Sequence, residues 1–181
     1  GTLRKIIKPA GLTQNRSLPI TGALIEESIA TSLTRLRTDH VDVLALHDPD
    51  PQAVLRDDVL RALERVVARG QACGVGVAGS AQACLAATAP GLPYRLFQTA
   101  VDADGATFAE IRRQAGRPVA TIGHSVMRGS GDGAARLRAA LAANPDGVTL
   151  LSMFDPAHLA ANLAAVRDAA TSARPDLDLA S

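Results

Sequence analysis

The chain has 181 residues, 47% of them hydrophobic and 20% charged, and nineteen basic against eighteen acidic side chains give a formal charge of +1. These are the proportions of a globular protein, so a disordered or low-complexity chain is excluded. The balanced charge argues against an electrostatic binder of nucleic acid or of a membrane surface. The longest apolar stretches are short, as at 41–46, and none could span a bilayer.

The length predicts one domain, residues 1–170, followed by a polar, frayed tail at 171–181. The count of 35 alanines against four aromatic residues predicts an aliphatic core with closely packed helices. Cys73 and Cys84 form neither a CxxC motif nor a disulfide framework, which suits a reducing compartment. No charged-then-apolar leader opens the sequence, and the expected location is the cytoplasm.

In chain order, Leu3 to Lys8 reads as a first short strand. A helix over 21–37 follows, with Ile25, Ile29, Leu33 and Leu36 on one face. Val41 to Leu46 is a strand, stopped by His47-Asp48-Pro49-Asp50-Pro51, because two prolines cannot enter a ladder. The clearest helix is 57–69: Val59, Ala62, Leu63, Val66 and Val67 make one stripe, and Gly70 supplies a left-handed stop. Strands are then expected at 74–78, 95–101, 119–123 and 148–152, alternating with helices at 80–88, 107–115, 134–143 and 156–170. The repeat of roughly 20 to 30 residues is the size of one β/α unit. Such alternation predicts a parallel sheet with covered faces, either doubly wound or part of a β/α barrel. Since a complete eight-fold barrel takes about 250 residues, about six units would leave it incomplete.

In parallel α/β folds the working groups gather at the carboxyl ends of the strands. Lys8, His47, Gln98, His124 with Ser125, and Ser152 all fall there. Each has a plainer reading: His47 closing a turn, Lys8 a solvated side chain, Gln98 an amide bonded to backbone. Gly74-Val75-Gly76-Val77-Ala78-Gly79 matches GxGxxG, but the dinucleotide fingerprint must follow a strand and open a helix. Here it is itself the strand and is rejected. Gly129-Ser130-Gly131-Asp132-Gly133 is better placed for a phosphate, although Asp132 would oppose one. No HxH or HExxH supplies metal ligands, and no metal is expected; nor is there a GxSxG elbow.

The stretch from Leu24 to Pro51 carries "SLTRL" at 32–36, Thr38-Asp39, "VDVLALH" at 41–47 and "DPDP" at 48–51. This combination resembles the aldo-keto reductase family, and Gly70…Gly76-Val77 and the segment Asp155 to Leu163 extend the similarity along nearly the whole chain. The resemblance implies a TIM-type (β/α)8 barrel, of which this chain corresponds to strands three through eight. It also implies hydride transfer between NADPH or NADH and a small carbonyl substrate, an aldehyde or ketone.

Members of the family use an Asp, Tyr, Lys and His tetrad. Lys8 matches the lysine and His47 the histidine, whereas the Asp and Tyr belong to a part of the family's barrel that this sequence lacks. The sole tyrosine, Tyr94, leads into a later strand and is not that acid. Gln98 matches the glutamine that holds the nicotinamide amide, and Ser152 and Asn162 fall at further cofactor positions. Ala78-Gly79 replace a Ser-Asn pair, Phe154 replaces the arginine for the 2′-phosphate, and Ala161 an adenine-binding glutamate. The preference between NADPH and NADH is therefore open. The expectation is a reductase-type oxidoreductase that is inactive as this isolated chain. The alternative is a degenerate, non-catalytic binding or interaction domain. Open sheet edges would invite self-association.

Overall fold

The computed structural model describes residues 19–102, 105–128, 132–153 and 155–173. The expected strand Leu3–Lys8, the catalytic candidate Lys8, Phe154 and residues 174–181 of the expected tail lie outside them, as does the centre of the glycine stretch at 129–131.

The first helix, α1 (Gly22–Leu36), starts where the Thr21 hydroxyl accepts the Leu24 amide at 3.2 Å. It buries Ile25, Ile29 and Leu33, but Leu36 is 63% exposed. The helix ends there, because Arg37 turns left-handed at φ 56° and leads the chain off before the stripe is completed. Strand β1 (Val41–His47) follows, then a 3-10 turn at Ala53–Leu55 and helix α2 (Asp57–Ala68). Val59, Ala62, Leu63 and Val66 are wholly buried, whereas Val67 lies at the edge of the stripe and is partly exposed. At its end the amides of Gly70 and Gln71 bond the carbonyls of Val67 and Val66 at 2.9 and 3.1 Å, with Gly70 at φ 69°. That is the Schellman pattern expected of a glycine in this place.

Strand β2 (Ala72–Ala78), helix α3 (Ala81–Ala86), β3 (Tyr94–Ala100), α4 (Ala106–Ala115), β4 (Ala120–His124), α5 (Gly133–Ala143), β5 (Val148–Thr149) and α6 (Pro156–Ala173) complete the described chain. Among the described residues no helix is long and apolar enough to cross a membrane.

All pairings are parallel and the strand order is β1-β2-β3-β4-β5. A doubly wound sheet reverses its order at a switch point; a barrel adds each strand beside the last. The sequential order decides between the two architectures left open above, and the fold is an incomplete TIM-type barrel. Five of the six expected units lie among the described residues. Strand β5 is shorter than the expected 148–152. It faces β4, whose last residue is His124, and after Ile122↔Val148 and Gly123↔Thr149 one further bond, Leu150 N–H to Gly123 O at 2.7 Å, exhausts the ladder.

One face of the sheet packs on the helices. Leu46, Val75, Val77, Tyr94 and Phe97 join Ile25, Ile29, Leu63 and Val66 in a continuous core, each large side chain contributing about 1.5–3 kcal/mol by burial. The other face carries Ala45, His47, Ala78, Gln98 and Ile122. Register links them in a row: His47 pairs with Ala78, Ala78 with Gln98, and Gln98 with Ile122. The row depends on an irregularity between Val75 and Gly76, where Val75 faces Tyr94 but Gly76 faces Leu96. Arg95 is the extra residue. The bulge lets Tyr94 and Phe97 both enter the core and turns Gln98 to the face of His47.

Candidate active site at the carboxyl ends of the strands

His47 is the last residue of β1, and its side chain is 85% exposed. The next residue, Asp48, turns left-handed at φ 44°, and its amide bonds the Ala78 carbonyl at 2.7 Å. The imidazole lies on a cleft of about 280 Å³ lined with Ile20, Asp48, Gln52 and Arg56. The Nε2 atom stands 3.7 Å from the Asp48 carboxylate. The loop crosses directly over Gly79: a Cβ there would lie 3.2 Å from both Asp48 Cα and Pro49 Cδ. The glycine therefore makes room for the turn that displays His47, which gives a packing reason for its presence.

Gln98 is half-buried two strands away, about 10 Å across the sheet from His47 at ordinary strand spacing. Its carbonyl accepts the Gly79 amide at 2.9 Å, while its side-chain amide forms no hydrogen bond among the described residues. The backbone-satisfied reading of this amide is thus not what the structure shows, and both its donor and acceptor are available to a ligand. The site is closed from behind by Cys84, fully buried, whose Sγ lies 3.6 Å from the Gln98 carbonyl. Burial pushes the Cys84 thiol up to about 11, whereas Cys73 is exposed. A chromogenic disulfide reagent is expected to titrate Cys73 alone in the native protein and both thiols in denaturant; two reactive thiols under native conditions would contradict this packing.

Ser152 falls in a separate cleft of about 480 Å³ with His124, Ser125, Met127 and Leu150. Asn162, half-buried on α6, lines neither cleft. Tyr94 sits at the opposite, amino end of β3, wholly buried, and its hydroxyl donates to the Val54 carbonyl at 2.9 Å. Burial pushes this phenol above its ordinary range. It is a core residue at the start of its strand. The GxGxxG match lies within β2 and its following turn, so the rejection of that motif stands. The glycine stretch before α5 is met by Asp132, whose carboxylate caps the Ala134 amide at 2.9 Å and occupies the helix N-terminus. Among the described residues no group of three or more His, Cys, Asp or Glu could hold a metal ion.

Comparison with known proteins agrees with this architecture. The profile of the Aldo/keto reductase family matches residues 13–98. A 6-dehydroglucose reductase of Agrobacterium fabrum (strain C58 / ATCC 33970) is 36% identical over 75 residues, covering 40% of this chain and 25% of the relative. Among solved structures, an aldo-keto reductase from Pseudomonas aeruginosa superposes with a TM-score of 0.63 at 20% identity, covering 83% of this chain and 61% of the other. The holo form of aldo-keto reductase AKR11C1 from Bacillus halodurans gives a TM-score of 0.63 at 16% identity, covering 81% of this chain and 62% of the other. At these identities the structural likeness concerns the fold. The chain spans a quarter of the length of the curated relative and about three fifths of the solved structures. Residues 13–98 thus resemble the aldo/keto reductase family in sequence, and the described β/α units share the fold of solved aldo-keto reductases.

Proposed function

We propose that this chain forms the cofactor-facing part of an NAD(P)H-dependent oxidoreductase of the aldo-keto reductase type, acting on a small aldehyde or ketone. The observation that carries the reading is the single row of the sheet that holds His47 and Gln98 on one face, at the carboxyl ends of their strands. The chemistry to be supplied by the bound nucleotide is a hydride. Gln98 would hold the nicotinamide amide, its free donor and acceptor matching the two polar atoms of a carboxamide. Ser152 and Asn162 would contact the remainder of the nucleotide. His47 would orient the substrate carbonyl from its exposed position on the cleft. Lys8 is assigned to the tetrad by sequence. Carbonyl reduction also needs a proton donor at the developing alkoxide. Tyr94, buried at the wrong end of β3, does not serve, so no turnover is expected of this chain by itself.

The second reading is a non-catalytic reductase-like domain. It is favoured by Ala78-Gly79, where a Cβ at position 79 would press on the Asp48–Pro49 turn at 3.2 Å. Titration calorimetry with NADPH and NADH separates the two. Saturable binding is expected, with the dissociation constant raised about tenfold by Gln98→Leu, the worth of roughly one buried hydrogen-bonded pair. No binding by a demonstrably folded sample would leave the non-catalytic reading in front.

A further inference from the structure

Ser125 follows directly on β4 and is one of three non-glycine residues with positive φ among the described ones, at 63°. Such a backbone is strained for any residue with a Cβ, and it is held here at the carboxyl end of a parallel strand. The strain has a geometric result. The Ser125 hydroxyl meets Nδ1 of His124, the preceding residue, at 2.9 Å. Both side chains are half-buried and line the 480 Å³ cleft, whose other walls include Met127, Leu150 and Leu151. The chain then turns through Val126 and Met127, closed by the Arg128 amide on the Ser125 carbonyl at 3.1 Å. The amides of Val126 and Met127 bond no acceptor among the described residues.

We propose that Ser125 and His124 form a nucleophile–base pair that cleaves short-chain carboxylic esters. A hydroxyl bonded to an imidazole nitrogen on a sharp turn, followed by free backbone amides, supplies the components that acyl transfer needs. In the tautomer protonated at Nε2, Nδ1 accepts the hydroxyl proton as Ser125 Oγ attacks the acyl carbon. The tetrahedral oxyanion is met by the Val126 and Met127 amides. Its collapse breaks the bond to the alcohol oxygen, which leaves with the proton held by His124. Water then attacks the acyl-serine, giving its proton to Nδ1, and that proton returns to Oγ as the carboxylic acid departs. Met127, Leu150 and Leu151 suit a small apolar acyl or alcohol group. This reaction uses neither His47 nor Gln98, but it shares its cleft with Ser152, assigned above to the nucleotide, so a nucleotide bound there would compete with the ester.

The test uses p-nitrophenyl acetate with the full chain. Release of p-nitrophenolate and an acetyl group located on Ser125 by peptide mass mapping are the expected results. Ser125→Gly removes the nucleophile while relieving φ, so it should melt no lower than the parent and lose the adduct entirely. His124→Gln should slow acylation of Ser125 about a hundredfold, the usual worth of a general base. Acetyl groups found only elsewhere, on Cys73 or the lysines, would overturn the proposal. So would hydrolysis that survives unchanged in a folded Ser125→Gly protein.

Discussion

Valine at position 76 is expected to destabilise the protein by about 3 kcal/mol, near the upper end of overpacking effects, because the clash is with backbone. A Cβ on Gly76 would stand 2.6 Å from the Leu96 carbonyl oxygen and 2.9 Å from Leu96 Cβ. Neither can swing away without parting β2 from β3. The same close approach forms the bulge that sets Gln98 beside Ala78 in register with His47, so the variant should also lose nucleotide affinity. Gly74, in the same GxGxxG string, provides the control. Its Cβ would meet only the Asp42 carbonyl, at an ordinary 3.9 Å, and Gly74→Ala should change stability by less than about 0.5 kcal/mol. Denaturant unfolding of both variants checks the pair. If the string were a phosphate-binding loop, both substitutions would weaken nucleotide binding and leave stability nearly untouched.

The contrast shows what local pattern could disclose. Helices α1 and α2 were legible because burial of one face imposes a 3.6-residue period, and Ile25, Ile29, Leu33, Val59, Leu63 and Val66 obey it. The end of β1 was legible because prolines at 49 and 51 forbid continuation, which placed His47 at the carboxyl end of its strand. The bulge was not, since its cause is a carbonyl twenty residues away from Gly76. The length of β5 depends on where β4 stops, which no pattern within 148–152 records. The Ser125 contact with His124 requires a left-handed serine, and nothing in Gly-His-Ser-Val-Met selects that conformation.

Asn144 was equally silent, lying between a helix and a proline, yet Asn144→Ala is expected to cost about 3 kcal/mol by leaving several buried partners unsatisfied at once. The residue is 2% exposed. Its Oδ1 accepts from Arg112 Nη1 at 2.9 Å and from the Thr121 hydroxyl at 2.6 Å, while Nδ2 donates to the carbonyls of Thr121 and Val148 at 3.3 and 3.4 Å. Arg112 adds a bond to the Ala143 carbonyl at 3.2 Å. One amide thus ties α4, the end of α5, β4 and the start of β5 together, where β5 has few ladder bonds of its own. Asn144→Asp keeps the acceptors for Arg112 and Thr121 but sets its second oxygen against the carbonyls of Thr121 and Val148, so it should recover only part of the loss. The double variant with Arg112→Ala should fall short of the summed single effects, because both remove the same contact. Thermal unfolding measures these differences, and amide exchange at Leu150, bonded to Gly123, reports whether β5 is released. A released β5 would also loosen the cleft holding Ser125 and Ser152, so Asn144→Ala should weaken ligand binding there although the residue touches neither cleft. Full stability in Asn144→Ala would mean that β5 is held by contacts other than this network.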